Sequence, residues 1–248
     1  MKSTLDKFFY PKSIAVVGAT EKSEKIGYAV LRNLLAGGFK GAVYPVNPKY
    51  NTVLKQKCYA RLKDLPEAPD VAVFTVPAAL TPGLMKDCKQ ARVECAIVLS
   101  AGFNESGAEG EELFRELRRQ AAANGVRLIG PNCLGLVTPA IGLNATFAPT
   151  MPPAGRVAFI SQSGALGAAV LDWAADKKVG FSHFVSIGST ADIDFDHLID
   201  YFGSDSRTAC ILIYMESLSN ARRFMSAARA FARSKPIVVL KAGASVQG

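Results

Sequence analysis

The chain has 248 residues, enough for about two domains of the usual size, and its 49% hydrophobic and 20% charged residues are typical of a soluble globular protein. The net charge of +8 suits an anionic small ligand, and without a long run of Lys and Arg it predicts no nucleic-acid partner. The sequence has no bilayer-spanning apolar run, no apolar core of a secretory signal and no Cys-x-x-Cys pair among its five cysteines. We therefore expect a cytoplasmic protein with reduced thiols that binds neither membrane nor metal.

Apolar runs alternate with helical patterns through the first half of the chain. The runs predict strands at 14–17, 42–46, 71–76, 95–99 and 126–129. The patterns between them predict helices from residue 27, over 80–91 and over 110–123. This alternation predicts an α/β protein with a doubly wound parallel sheet.

A doubly wound sheet binds its ligands at the carboxyl ends of its strands. Gly18 ends the first predicted strand, and a glycine there lets the backbone approach a phosphate group closely. Lys49 follows the second strand, where an NAD site needs an acid, so it favours a ligand with an extra phosphate, such as CoA or NADP, unless it is an exposed turn lysine. The candidate binding residues at these strand ends are Gly18, Ala19, Thr20, Asn47, Lys49, Pro77, Ala78, Ser100 and Gly102.

A second unit follows a proline-rich connection. Pro149, Pro152 and Pro153 mark the junction, so we place the domains at 1–148 and 149–248. Alternation resumes there, with strands predicted at 157–160, 181–186, 209–215 and 236–241 and helices at 165–175, 195–202 and 221–232. This pattern predicts a second, flavodoxin-like parallel sheet.

The turn after the strand at 157–160 combines small polar residues with glycine, directly before an apolar helix pattern. Free N–H groups and the helix dipole at such a turn attract anions, whereas the simpler alternative is that a serine caps the helix. The candidate phosphate-binding residues are Ser161, Gln162, Ser163 and Gly164.

The remaining candidates are interpreted from their positions. Glu216 follows a predicted strand, which places it either at the edge of a site or exposed before the next helix. His183 falls inside a strand and His197 at the start of a helix, so we interpret both as structural. Asp194 or Asp196 is expected to cap that helix, because the spacing of the neighbouring acids fails the calcium-loop pattern.

Four motifs together resemble a known family. They are Gly18-Ala19-Thr20 with Gly27, the Val-Asn-Pro-Lys stretch at 46–49, the Val-Pro-Ala stretch at 76–78 and the Ile-Gly-Pro-Asn-Cys-Leu-Gly stretch at 129–135. Over nearly its whole length the chain resembles the succinyl-CoA synthetase α-chain superfamily, and most of all its ADP-forming acyl-CoA synthetases. The same arrangement occurs in protein lysine acetyltransferase fusions.

The resemblance implies a Rossmann-like CoA-binding domain followed by a flavodoxin-like, succinyl-CoA synthetase-like domain, both with parallel sheets. It adds Gly27, Val76 and Asn132 to the candidate CoA-binding residues. It also implies that Glu216 orients a phosphohistidine, which we expect to lie beyond residue 248.

The implied enzyme interconverts acyl-CoA, ADP and phosphate with acid, CoA and ATP through that phosphohistidine. ATP or ADP with Mg²⁺ would bind only in a separate ATP-grasp domain or β subunit, so we expect this chain alone to be inactive. Its expected ligands are CoA or acyl-CoA and a small carboxylic acid, and a homo-oligomer is allowed. The alternatives are an acyl-CoA-binding regulatory region of an acetyltransferase fusion and an NADP-dependent dehydrogenase.

Overall fold

A short N-terminal helix and a parallel sheet flanked by helices form the first half of the protein. The computed structural model describes residues 4–243. In chain order its first half contains α1 (Asp6–Phe9), β1 (Ser13–Val17), α2 (Ile26–Ala36), β2 (Ala42–Val46), β3 (Thr52–Val53), β4 (Gln56–Lys57), β5 (Val71–Phe74), α3 (Thr81–Gln90), β6 (Cys95–Val98), α4 (Ala108–Asn124) and β7 (Arg127–Ile129). The first sheet has the order β2-β1-β5-β6-β7, with every pair parallel.

A second sheet of six strands forms the other half. Its elements are β8 (Gly135–Thr138), β9 (Leu143–Thr146), β10 (Ala154–Ser161), α5 (Gly164–Asp176), β11 (Phe181–Ser186), α6 (Phe195–Ser204), β12 (Cys210–Met215), α7 (Ala221–Phe231) and β13 (Ile237–Lys241). The strand order is β13-β12-β10-β11-β8-β9. The predicted α/β class and the predicted strands of both halves are confirmed. None of the helices within residues 4–243 is both long and apolar enough to cross a membrane.

The second sheet is mixed, so the prediction of two wholly parallel sheets needs a correction. Strands β8 and β9 form a hairpin, and β8 pairs antiparallel with β11. The sequence did not reveal this hairpin because its strands contain polar residues whose hydrogen bonds form only in the fold. Asn144 of β9, for example, is buried, and its Oδ1 accepts from the Thr146 N–H and hydroxyl at 3.1 and 2.7 Å.

The predicted domain boundary at residues 148 and 149 stays a prediction. The β8–β9 hairpin lies on the first-domain side of that boundary, yet it adds its strands to the second sheet. The N-terminal segment also touches both halves, because Lys7 forms an ion pair with Glu94 and the Tyr10 hydroxyl contacts His183.

The segment after β11 brings the two sheets together at their carboxyl ends. Its backbone runs beside the end of β7, where Ser189, Ala191 and Ile193 donate N–H bonds of 2.9, 2.9 and 3.0 Å to the carbonyls of residues 131, 130 and 128. Gly188 is required at this contact, because a Cβ there would lie 2.2 Å from the Pro131 carbonyl oxygen. The ends of β7 and β11 therefore lie side by side, and the candidate site is built around them.

Candidate functional site

Two glycines shape the carboxyl end of β1. Gly18 has a φ of +98°, which disfavours other residues, and its missing side chain leaves room for Thr75. A Cβ on Gly27 would lie 2.2 Å from the Gly18 carbonyl oxygen, so the start of α2 packs directly on the turn. The two glycines therefore let the turn after β1, the start of α2 and the Thr75 side chain pack tightly against one another.

Asn47 holds the turns after β1 and β2 together. Its side-chain amide donates to the Ala19 carbonyl oxygen at 2.8 Å, and its Oδ1 accepts from the Lys49 N–H at 3.0 Å. Thr20 is fixed by a 3.1 Å contact between its Oγ1 and the Tyr50 hydroxyl. Asn47 thus positions the two turns, and the Lys49 side chain lies exposed beside them.

Hydrogen bonds also connect the ends of β5, β6 and β7. The Ser100 hydroxyl donates to the Val76 carbonyl oxygen at 2.5 Å, and the Asn132 N–H donates to the Ser100 carbonyl oxygen at 2.9 Å. The sheet topology therefore brings every sequence-predicted CoA-binding residue to one edge. The set comprises Gly18, Ala19, Thr20, Gly27, Asn47, Lys49, Val76, Pro77, Ala78, Ser100, Gly102 and Asn132.

Glu105 lies at the same edge and was missed from the sequence. Its Oε1 accepts the N–H of Gly102 at 2.6 Å and that of Phe103 at 3.2 Å. Partial burial raises the pKa of this carboxyl, but these backbone donors outweigh it and lower the pKa below its ordinary value. The available signal was a Glu three residues after Gly102 and just before a helix, the spacing of a capping box.

Both serine side chains of the turn after β10 form hydrogen bonds within the turn and the first turn of α5. Ser161 is fully buried, and its hydroxyl donates to the Ser163 carbonyl oxygen at 2.8 Å. Ser163 is the N-cap of α5, with its Oγ accepting from the Leu166 N–H at 3.3 Å, as the capping alternative predicted. An anion at this turn would therefore depend on backbone N–H groups at the start of α5, close to Gly164.

Gln162 connects this turn to the end of β12. Its Oε1 accepts from the backbone N–H groups of Glu216 and Ser217 at 2.6 and 2.9 Å. Lys241, at the end of β13, donates from Nζ to the Glu216 carbonyl oxygen at 2.9 Å. Sequence analysis missed Lys241, although a lysine ending the last predicted strand was visible. Together these bonds fix the backbone that carries the exposed Glu216 carboxylate.

A polar cavity of about 280 Å³ lies where the two sheet edges meet. Three of the sequence-predicted residues line it together, namely Asn132, Gln162 and Glu216, whereas Ser161, Ser163 and Gly164 are not among its lining residues. The other lining residues are Asn104, Glu105, Gly188, Ser189, Thr190 and Ser217. Three larger clefts among residues 4–243, of about 880, 910 and 510 Å³, are lined by none of the predicted site residues, so the smaller cavity is the candidate site.

Neither histidine of the chain lies at this cavity. His183 is fully buried, with its Nε2 3.1 Å from the Tyr10 hydroxyl and 3.2 Å from Asp205 Oδ2. His197 accepts the Asp194 N–H at 3.3 Å, and Asp194 is the N-cap of α6. The capping role of Asp194 is confirmed. The structural interpretation of the two histidines stays a prediction, with His183 in the core and His197 in the first turn of α6.

Comparison with known proteins identifies the family. Residues 12–139, more than half of the chain, match the CoA binding domain family. The chain belongs to the CoA-binding domain family. Residues 154–248 match a second family, the succinyl-CoA ligase like flavodoxin domain. The family resemblance read from the four motifs is thereby confirmed.

Similar proteins are longer than this chain. The chain is 46% identical to acetate–CoA ligase [ADP-forming] I of Archaeoglobus fulgidus, over 98% of this chain and 35% of that relative. It is 43% identical to the acetate–CoA ligase [ADP-forming] I subunit alpha of Pyrococcus furiosus, over 99% of this chain and 54% of the relative.

A solved structure confirms the fold. Dinucleotide forming acetyl-coenzyme A synthetase 1 of Ca. Korarchaeum cryptofilum, in complex with phosphate and ADP, superimposes with a TM-score of 0.94 at 44% identity. The match covers 98% of this chain and 53% of that one. The CoA-binding chain thus spans from about a third to about half of the length of these relatives.

Proposed function

We propose that this chain is the CoA-binding, α-type portion of an NDP-forming acyl-CoA synthetase. The complete enzyme would interconvert acyl-CoA, ADP and phosphate with a small carboxylic acid, CoA and ATP. The observation that carries the proposal is the cavity shared by the two sheet edges, where Asn132 of the CoA-binding half faces Gln162 and Glu216 of the ligase-like half. Relatives named as acetate–CoA ligases support the reaction class.

The first sheet edge would hold CoA, whose thiol accepts the acyl group. Backbone N–H groups of the turn after β1 and of the start of α2 would bind its phosphates, and Gly18 and Gly27 allow these two segments to pack closely. Lys49 would supply the positive charge for the 3′-phosphate, and Asn47 would keep the Lys49 turn in place.

The second sheet edge would hold the phosphoryl group during its transfer. Backbone N–H groups and the positive end of the α5 dipole would stabilise its charge near Gly164. Glu216 would orient a histidine nucleophile from a segment beyond residue 248, and Gln162 would fix the backbone on which Glu216 depends. This arrangement separates CoA binding from phosphoryl transfer while keeping both at one cavity.

The nucleotide would bind to a partner. We place ATP or ADP with Mg²⁺ in an ATP-grasp domain or β subunit, as one of the relatives is named an alpha subunit. The relatives do not support the alternative of an acetyltransferase regulatory region, because their printed names are those of CoA ligases.

Calorimetric titration of the chain with CoA and with NAD tests the CoA assignment. We expect CoA to bind and NAD to bind more weakly, because Lys49 stands where an NAD site needs an acid. Tighter binding of NAD than of CoA would overturn the proposal.

Incubation with acetyl phosphate tests the location of the phosphoryl-carrying histidine. His183 is buried and His197 accepts the backbone N–H of the Asp194 cap, so we expect no stable phosphohistidine on this chain. Labelling of either residue would show that Glu216 is not the orienting carboxylate.

A further inference from the structure

The Glu105 side chain is hydrogen-bonded to backbone N–H groups at the edge of the first sheet, where an anionic ligand is proposed to bind. Its Oε1 accepts the N–H groups of Gly102 and Phe103 at 2.6 and 3.2 Å. Two consecutive N–H groups that converge on one oxygen form an anion-binding concavity, which we call the Gly102–Phe103 niche. The Glu105 carboxylate therefore accepts both N–H donors of this niche.

The niche is held in place independently of Glu105. The Phe103 side chain is fully buried in the core of the first half, and its carbonyl oxygen accepts from the Ser106 N–H at 2.7 Å. The first turn of α4 packs against the same carbonyl, since a Cβ on Gly110 would lie 1.9 Å from it. The two donors should consequently keep their positions when the carboxylate leaves.

The niche also lies beside the site. Glu105 is exposed and lines the 280 Å³ cavity together with Asn132 and Glu216. Gly102 lies two residues after Ser100, whose carbonyl oxygen accepts from the Asn132 N–H at 2.9 Å. A ligand anion that reaches the Gly102 N–H must displace the Glu105 oxygen already bound there, because both need the same donor.

We propose that Glu105 is an internal competitor for the ligand's anionic group, a phosphate or a carboxylate, at the Gly102–Phe103 niche. This inference rests on the proposed function, since it assigns the niche to a ligand of the CoA ligase. The ligand can bind only to molecules in which the Glu105 carboxylate has left the niche. Its measured affinity is therefore the intrinsic affinity multiplied by the fraction of molecules whose niche is open. Binding of the ligand then requires the Glu105 side chain to swing into the cavity.

The test compares Glu105→Ala and Glu105→Gln with the wild-type chain and with Glu109→Gln as a control. Glu109 is an exposed acid in the first turn of α4, so it matches the loss of one negative charge without touching the niche. Each protein is titrated calorimetrically with CoA, dephospho-CoA, inorganic phosphate and acetate, and its melting temperature is recorded. The ligand whose affinity responds identifies whether a CoA phosphate, free phosphate or a carboxylate enters the niche.

We expect Glu105→Ala to tighten binding of that ligand by about three- to tenfold, because the niche is closed in most wild-type molecules and open in all molecules of the variant. Glu105→Gln keeps an oxygen acceptor but no charge, so it should tighten binding less and keep the melting temperature close to that of the wild type. The Glu109→Gln control should leave both quantities unchanged.

Unchanged or weaker binding of all four ligands to folded Glu105→Gln overturns the inference. A lower melting temperature of Glu105→Ala combined with wild-type behaviour of Glu105→Gln also overturns it, because that pattern identifies Glu105 as an ordinary turn cap. Failure of the wild-type chain to bind CoA overturns the proposed function instead. The two failures are therefore distinguishable.

Discussion

The two sheet edges that meet at the cavity are built by different means. In the first half the surface is backbone, shaped by glycines such as Gly18 and Gly27 that leave no room for a side chain. In the second half the surface is held by side chains, with Gln162 and Lys241 hydrogen-bonded to the backbone around Glu216. A substitution that adds a side chain should therefore destabilise the first edge, whereas one that removes a hydrogen-bonding side chain should destabilise the second.

The largest expected effect comes from adding one methyl group to the first edge. Gly27→Ala would place its Cβ 2.2 Å from the Gly18 carbonyl oxygen, and a backbone atom cannot rotate away as a side chain can. We expect a loss of about 3 kcal/mol in the free energy of unfolding, together with loss of measurable CoA binding. Thermal melting and calorimetry measure the two effects.

Gly83→Ala is the matched control for that change. Gly83 lies in α3, and a Cβ there meets no atom within 4 Å. We expect it to preserve CoA affinity and to stabilise the protein slightly, since alanine is the better helix former. Equal damage from both substitutions would contradict the close-packed interpretation of Gly27.

Removing the side chain that fixes the second edge is expected to have a smaller effect. Gln162→Ala leaves the N–H groups of Glu216 and Ser217 without their acceptor, which should cost about 1–2 kcal/mol of stability. Gln162→Glu retains an acceptor and should recover most of that loss. CoA affinity should stay within about twofold in both variants, because the proposed contacts with the CoA phosphates lie at Gly18, Gly27 and Lys49 and none of them involves Gln162. A large fall in CoA affinity would show that the two edges are coupled through the cavity they share.

Two substitutions at the start of α5 distinguish helix capping from anion binding as the function of this turn. Ser163→Ala removes the N-cap, so we expect a loss of about 1 kcal/mol in stability with unchanged phosphate affinity. Gly164→Val adds bulk where a Cβ makes only ordinary contacts with Leu134, at 3.6 Å or more, so the fold should tolerate it. If the turn binds phosphate, that variant should bind it about tenfold more weakly, the loss of roughly one hydrogen bond to a charged group. Equal phosphate affinity in both variants would leave capping as the function of the turn.

The smallest expected effect concerns the exposed Lys49. Lys49→Ala should weaken CoA binding by about fivefold and dephospho-CoA binding much less, because an exposed ion pair contributes only about 1 kcal/mol. Parallel titrations of the two ligands measure the difference. Equal weakening of both would rule out contact between Lys49 and the 3′-phosphate.

Much of this site could be predicted because strand ends are visible in sequence. The apolar runs that precede Gly18, Asn132 and Glu216 each stop at a small or polar residue, and parallel strands carry such residues to one edge. Glu105 was missed because its partners are backbone N–H groups. Its spacing from Gly102 was visible, but Gly102 lacks the Ser, Thr, Asp or Asn side chain that completes a capping-box pattern.

The sequence alone determined the local elements and their order, because helix and strand periodicities depend on neighbouring residues. Buried runs such as Val71–Phe74 and Phe181–Ser186 could be located from hydropathy, and the Gly and Ser turns from their residue types. Only the tertiary structure decided that the β8–β9 hairpin joins the second sheet and that the segment after β11 pairs with the end of β7. Those contacts depend on backbone hydrogen bonds between residues far apart in the chain, and backbone donors and acceptors are the same for every residue except proline.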